Sequence, residues 1–135
     1  MSKVQVHLEM IQNIINRLSR NSFLLKGWSV ILVSSFFALA AVNSKVYFVL
    51  LAYFPLVIFW ILDAYFLWQE RLFRALYDYV RGLKEEEIDF SMKTSDVENQ
   101  VKPWVDVVFS MTLLLFHGTI FISILIVMII MIVNG

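Results

Sequence analysis

Three long stretches of the chain contain no Asp, Glu, Lys or Arg, and this absence constrains the fold more than any other feature. The uncharged segments are residues 27–44, 46–62 and 107–135, with lengths of 18, 17 and 29 residues. They are rich in Leu, Ile, Val and Phe, and a helix needs about 20 such residues to cross a hydrocarbon core of about 30 Å. Because backbone groups in lipid must hydrogen-bond within their own segment, we predict an all-α integral membrane protein with three transmembrane helices.

The residue types present argue against several classes of function. Of the 135 residues, 60% are hydrophobic, which is far too apolar for a small soluble domain. The absence of Cys excludes thiol chemistry, the balanced charge gives no basis for nucleic-acid binding, and His7 and His117 cannot form a local metal motif. We expect no cofactor, no metal, no nucleic-acid partner and no enzymatic activity, although spacing alone leaves a serine nucleophile paired with His117 open.

The chain is expected to form one membrane domain over residues 1–135. Its first apolar run begins only near Leu24, so we expect no cleaved signal peptide. Gly82 offers a helix end after the second span, and Pro103 fits the first turn of a third span. The predicted segments are a cytoplasmic amphipathic helix (1–23), a first span (24–42), a second span (46–68), a cytoplasmic helix extension (69–83), an acidic cytoplasmic connector (84–102) and a third span (103–133).

The distribution of basic residues predicts the orientation in the bilayer. Ten of the eleven Lys and Arg residues lie before the first uncharged segment, which begins at residue 27, or between the second and third spans, and only Lys45 lies in the turn 43–45. Basic residues accumulate on the cytoplasmic side of membrane proteins. We therefore predict a bacterial inner-membrane protein with a cytoplasmic N-terminus and a periplasmic or extracellular C-terminus.

Two heptad patterns predict that the N-terminal helix pairs with the extension of the second span. Apolar residues recur at steps of four and three through 4–25, and a matching repeat runs through 66–83. The excess of basic residues near the N-terminus also suits a helix lying flat on anionic lipid, which is the alternative. The predicted contact residues, called here the cytoplasmic seam, are Ile11, Ile15, Leu18, Phe73, Leu76 and Val80.

Small residues on the first span predict a close helix contact. They fall within about 60° of one another on the helical wheel, and small side chains let backbones approach when lipid supplies no hydrophobic drive. We expect oligomerisation through this small-residue face or through the cytoplasmic seam. Pro55 lacks a backbone donor and predicts a bend in the second span. The small-residue face consists of Gly27, Ser34, Ala38 and Ala41.

Asp63 interrupts the otherwise uncharged second span and is a candidate ion-pathway residue. Trp60, Tyr65 and Trp68 surround it in sequence like an interfacial aromatic belt, which indicates a position near the cytoplasmic boundary of the membrane. The structural interpretation is a carboxylate that reaches headgroup water or pairs with Lys26. The functional interpretation is a ring of Asp63 copies at the mouth of a cation pathway.

Asp106, Ser110 and His117 form a second set of candidates on the third span. On an uninterrupted helix they lie within about 40° of one another, in one polar stripe. A neutral imidazole in apolar surroundings still requires a hydrogen-bonding partner. The stripe therefore indicates either a helix-to-helix hydrogen bond from His117 or a pore-lining, pH-sensing role.

The run LDAYFLWQERLFRALYD within residues 59–78 resembles the end of the second span and the following helix of SLATT-type membrane proteins. The resemblance covers about residues 5–83, and the third span lies outside it. It implies two spans followed by a cytoplasmic helix, in a family of bacterial effectors thought to form pores in phage defence or other conflict systems.

These observations lead to two functional expectations. The first is a homo-oligomeric effector that forms a pore or depolarises the inner membrane when a soluble cytoplasmic sensor protein triggers it. An oligomer is required because three helices are too few to enclose a wide aqueous pathway. The second is a non-conducting anchor or scaffold that docks a soluble partner on the acidic segment 84–98.

Overall fold

The structure, a computed structural model, describes residues 1–135 and contains helices and turns but no β-strand. Three helical regions are long and apolar enough to cross a membrane, judged by length and composition. They are Lys3–Asn43, Val46–Arg81 and Trp104–Asn134. The prediction of an all-α fold with three helices of transmembrane length is confirmed.

The first helix, α1 (Lys3–Asn43), is continuous over 41 residues. At 1.5 Å per residue it is about 60 Å long, roughly twice the thickness of a hydrocarbon core. It begins with a capping box in which Ser2 and Gln5 satisfy each other's backbone N–H groups. The predicted amphipathic helix and first span are thus one element, which ends where Ser44 adopts a left-handed conformation with φ of 54°.

The second hydrophobic region consists of α2 (Val46–Leu51) and the longer α3 (Tyr53–Arg81), which are separated at Ala52. Pro55 explains the interruption. It has no N–H to donate to the carbonyl of Leu51, so the chain restarts its helix with Pro55 in the first turn, where the missing donor costs least. The bend predicted from Pro55 therefore takes the form of a short break.

The connector folds back onto the start of α1. It follows Gly82, the C-cap of α3, and contains two 3-10 turns, Glu85–Glu87 and Ser95–Gln100. The backbone N–H of Lys3 donates to a carboxylate oxygen of Glu85 at 2.6 Å. The connector is therefore part of the packed structure at this end of the bundle.

The third hydrophobic region contains several helical pieces. It comprises α4 (Trp104–Val108), α5 (Met111–Leu113), a π-helical segment (Leu114–Gly118) and α6 (Thr119–Asn134). Pro103 immediately precedes α4. The π-helical segment leads directly from α5 into α6, so the only non-helical interruption lies between α4 and α5.

This interruption changes which residues share a face. The predicted polar stripe of Asp106 and His117 requires an uninterrupted helix, but the break between α4 and α5 and the wider π turn both change the angle between these residues. The carbonyl of Val108 lies at the break and accepts a hydrogen bond from Trp60 Nε1 at 2.9 Å. A side chain from α3 therefore stabilises the irregular backbone.

Buried apolar side chains form separate clusters along the bundle. We call the end beside Ser44 the turn end and the end beside residues 84–102 the connector end. The turn-end cluster joins α1, α2, α3 and α6 and contains Val33, Ala40, Val49, Ala52, Leu56 and Ile124. The middle cluster, which the side chains of Trp60, Trp68 and Trp104 surround, contains Ala64, Val107 and Leu113.

At the connector end, the N-terminal half of α1 packs against the C-terminal half of α3. Phe73 packs against the resulting cluster, and Leu18 is half-buried outside it. Four of the six predicted seam residues therefore share one core, which Val97 of the connector completes. The cluster contains Ile11, Ile15, Leu76, Val80 and Val97.

Candidate functional site

Asp63 lies at the centre of a charged cluster between the three apolar regions. Its carboxylate is fully buried. Lys26 Nζ lies 2.6 Å from Asp63 Oδ2, and His117 Nε2 lies 2.8 Å from the same oxygen. The Ser22 hydroxyl donates to Oδ1. Both carboxylate oxygens are therefore satisfied, by groups from α1 and from the π-helical segment.

Local helix geometry positions the two partners on α1. Ser22 and Lys26 are four residues apart and therefore lie on one face, one turn apart. The Lys26 ammonium also donates to the Ser22 hydroxyl at 2.9 Å. The Ser22 hydroxyl thus accepts a hydrogen bond from Lys26 and donates one to Asp63, so it links the ammonium group to the carboxylate by a second route.

His117 is placed by the π-helical segment and by aromatic contacts. Its ring is stacked on Trp60, with centroids 5.6 Å apart and planes inclined by 13°. Phe116 meets the same ring edge-on at 5.1 Å, and Lys26 Nζ lies 5.9 Å from the centroid of Phe116. The imidazole is therefore held in a rigid apolar slot with only Nε2 directed at Asp63.

The hydrogen bonds indicate how protons are distributed in the cluster. A neutral His117 with its proton on Nε2 donates to Asp63 and leaves Nδ1 as an acceptor, and Nδ1 has no partner. A charged imidazole would instead bury an unpartnered N–H donor, which costs more. The cluster is therefore best described as a carboxylate and an ammonium with a neutral imidazole, and its net charge is zero.

Lys26 connects this buried cluster to the surface. Its side chain is 21% exposed, whereas the side chains of Asp63 and His117 are 0% exposed. A buried charge in an apolar bundle is costly unless it is paired and hydrogen-bonded. Access to Asp63 from outside the chain therefore requires movement of Lys26 or separation of the helices.

The structure brings together only some of the predicted site residues. Asp63 and His117 are in direct contact, and Lys26 forms the ion pair that was considered for Asp63. Asp106 is exposed on α4 and makes no ion pair, and the buried Ser110 hydroxyl has no partner. The predicted three-residue stripe is thus divided by the break between α4 and α5.

Sequence reasoning missed two members of the cluster. Ser22 is absent from the predicted site residues, and the sequence predicts only an interfacial position for Trp60. The spacing of Ser22 from Lys26 was a usable signal, since both lie on one face of α1 at the depth of Asp63. No local pattern indicates the stacking of Trp60 on His117, because the two residues are 57 positions apart.

The small-residue face of α1 is exposed along its whole length. A Cβ atom added at Gly27 would meet nothing within 4 Å. The residues of the first span that pack inside the chain are different ones, among them Ser29, Val33 and Ala40. The face of Gly27, Ser34, Ala38 and Ala41 is therefore open to contacts from outside the chain.

A second buried histidine joins α1 to the connector. His7 is 1% exposed, its Nε2 lies 2.9 Å from the carbonyl oxygen of Ser91, and its ring lies 5.7 Å from that of Phe90. The chain contains no group of three or more His, Cys, Asp or Glu residues arranged to hold a metal ion. We interpret His7 as a structural link.

No protein-family profile, curated protein or solved structure matches the chain. The resemblance to SLATT-type proteins therefore depends on the residues of the chain alone and stays a prediction.

The buried ion pair predicts a strong stability coupling between Lys26 and Asp63. Lys26→Gln leaves the carboxylate without its counter-charge, so we expect a loss of about 3–5 kcal/mol in the free energy of unfolding. The double variant Lys26→Gln/Asp63→Asn removes both charges and should be more stable than the sum of the single effects predicts, by about 0.5–3 kcal/mol. Thermal or denaturant unfolding in one detergent measures all three.

Lys45→Gln is the matched control, because it removes the same charge from an exposed turn. We expect it to change stability by less than about 0.5 kcal/mol. Strictly additive effects of Lys26→Gln and Asp63→Asn would show that the two groups do not interact.

Proposed function

We propose that this chain is a homo-oligomeric effector of the bacterial inner membrane that forms a pore or depolarises the membrane when triggered. The observation that carries the proposal is the fully buried Asp63, held by groups from α1 and from the third hydrophobic region. Ionisable residues inside a membrane bundle are expensive and commonly mark ion pathways. The resemblance of residues 59–78 to SLATT-type effectors supports a role in antiphage defence.

The charged cluster suits a closed state better than a conducting one. In this conformation Asp63 has no exposed surface, so it cannot act on ions outside the chain. Separation of α1 from α3 would break the ion pair and expose the carboxylate. Several such carboxylates around an oligomer axis would raise the local cation concentration. Under this proposal the Lys26–Asp63 ion pair stabilises the closed state, and breaking it creates the site that attracts cations.

Ion flux through purified protein in liposomes tests this proposal. We expect Lys26→Gln to increase cation flux above that of the wild type, because Asp63 loses its internal partner. The double variant Lys26→Gln/Asp63→Asn should return to low flux or lose cation selectivity, because the attracting charge is gone. Membrane potential and growth of cells after induced expression provide the corresponding cellular measurement.

The size of each variant in detergent is the control for this experiment, so that a change in flux is not a change in assembly. Flux that is absent from wild type and from correctly assembled Lys26→Gln alike would contradict the effector proposal. Equal cation selectivity in Lys26→Gln and in the double variant would remove Asp63 from the pathway.

Oligomerisation is proposed to use the exposed small-residue face of α1. Small side chains permit close backbone contact between copies, and this face has no partner within the chain. Ala38→Leu places a large side chain in the face, so we expect the oligomer to dissociate or shrink in mild detergent. Size-exclusion chromatography with light scattering measures the effect.

Ser35→Leu is the matched control for this variant. Position 35 is also exposed but lies about 90° from the centre of the face on the helical wheel. It should leave the oligomer size unchanged. A wild-type chain that stays monomeric in several mild detergents would exclude the oligomeric proposal altogether.

We further propose a cytoplasmic connector and a periplasmic C-terminus, because ten of the eleven basic residues lie within residues 3–26 or 71–102, on the connector side of the three uncharged segments. A periplasm-active reporter fused after Gly135 should be active, and a cytoplasm-dependent reporter should not. The reverse pattern would place residues 84–102 outside the cell and out of reach of a cytosolic sensor.

A non-conducting anchor is the second candidate function. The exposed acidic side chains of Glu85, Glu86 and Glu87 favour it, since they offer a charged surface to a basic soluble partner. Under this proposal the Asp63 cluster serves only to hold α1, α3 and the third hydrophobic region together. An anchor predicts no ion flux from any of the variants above, so the liposome experiment separates the two functions.

A further inference from the structure

A basic groove lies at the connector end, between α3 and the end of the connector. Its volume is about 420 Å³. One wall is formed by the turns of α3 that follow Trp68, and the other by the three connector residues before Pro103. The lining residues are Arg71, Arg74, Ala75, Asp78, Gln100, Val101 and Lys102.

The positive charges of the groove are largely uncompensated. Arg71 and Lys102 form no ion pair within the chain. Arg74 approaches Glu70 only at 3.7 Å, with 59% of the arginine side chain exposed. Asp78, the one acid in the lining, lies 3.3 Å from Arg81. Basic side chains from two distant parts of the chain thus meet in the groove, and the net charge of its lining residues is positive.

The depth of the groove matches the lipid headgroup layer. Trp68 and Trp104 pack against one cluster in the middle of the bundle, and Lys102 lies two residues before Trp104. At 1.5 Å per residue, Arg71 and Arg74 lie about 4.5 Å and 9 Å beyond Trp68. The headgroup region extends about 5–8 Å beyond the hydrocarbon on each side. With Trp68 at the hydrocarbon boundary, Arg71 lies within this layer and Arg74 lies just beyond its outer edge, so both long side chains can reach lipid phosphates.

We propose that this groove binds the phosphate of an anionic phospholipid headgroup. An arginine guanidinium offers parallel N–H donors that match a phosphate, and Lys102 adds a point charge from the opposite wall. Basic pockets at the ends of transmembrane helices are suited to acidic headgroups. A free phosphate ion has the same chemistry, but it lacks the acyl chains that would run along the apolar surface below. The inference does not depend on whether the chain conducts ions.

Native mass spectrometry of the purified full chain in detergent tests this site. Phosphatidylglycerol and phosphatidylcholine are the probes, and inorganic phosphate is added in a separate arm. We expect wild type to retain phosphatidylglycerol in preference to phosphatidylcholine. Because each basic residue near an anionic surface strengthens binding roughly fivefold, R71Q/K102Q should weaken phosphatidylglycerol binding roughly 25-fold.

R17Q/R20Q is the matched control. It removes two exposed charges from α1, outside the groove. Lys26 and Asp63 form an ion pair and therefore lie at the same depth in the bundle. Arg17 is nine residues from Lys26 and Arg71 is eight residues from Asp63, so the control charges lie at a depth similar to that of the groove. The control should bind phosphatidylglycerol nearly as wild type does. Equal losses in the two double variants would show diffuse attraction and overturn the site.

The remaining outcomes also decide the proposal. Displacement of bound lipid by inorganic phosphate, with no preference for phosphatidylglycerol, would assign the groove to a soluble ion and overturn the lipid assignment. If R71Q/K102Q fails to fold, Arg71→Lys replaces it, since this variant keeps the charge but loses the guanidinium fork. An intermediate loss of lipid binding is then expected, and unchanged binding would contradict the role of Arg71.

Discussion

The carboxylate of Asp63 determines how the three apolar regions are arranged around one another. Helices in lipid gain no hydrophobic energy from association, so polar contacts and close packing decide their rotation. Lys26 and His117 both meet the same oxygen of Asp63, one from α1 and one from the third region. A rotation of α1 by one residue would remove Lys26 and leave the buried carboxylate without its counter-charge, which is the most costly alternative. A rotation of the third region would remove the hydrogen bond from His117.

The connector end depends on a different force. Here α1 and α3 continue beyond the middle cluster and bury Ile11, Ile15, Leu76 and Val80 against each other. Where these apolar faces would otherwise meet water, such burial gains free energy from the release of that water, at about 25 cal/mol per Å². The pair α1 and α3 is therefore held by the Lys26–Asp63 ion pair in the middle of the bundle and by apolar packing at the connector end. Val97 of the connector covers the apolar contact.

The sequence predicted the elements that depend on local pattern. The lengths of the uncharged segments predict three helices, the heptad repeats predict the pairing of α1 with α3, and Lys26 is one of the predicted partners of Asp63. The irregular third region could not be predicted, because residues 104–134 contain no Pro and the break is stabilised from outside by Trp60. The π-helical segment that directs His117 has no sequence signature either, so an uninterrupted helical wheel could not show that His117 is buried while Asp106 is exposed.

The asymmetry of the cluster indicates where a trigger would have to act. Asp63 and His117 are enclosed, whereas Lys26 is partly exposed, so the pair is weakest on the side of α1. The same helix carries His7 and Lys3, which bond to the connector at Ser91 and Glu85. A ligand that displaced the connector would therefore act on α1 directly, and Lys26 belongs to the same continuous helix of 41 residues. In a non-conducting anchor, the contacts between α1 and the connector would instead keep the Lys26–Asp63 ion pair intact. The two proposed functions therefore differ in whether α1 moves.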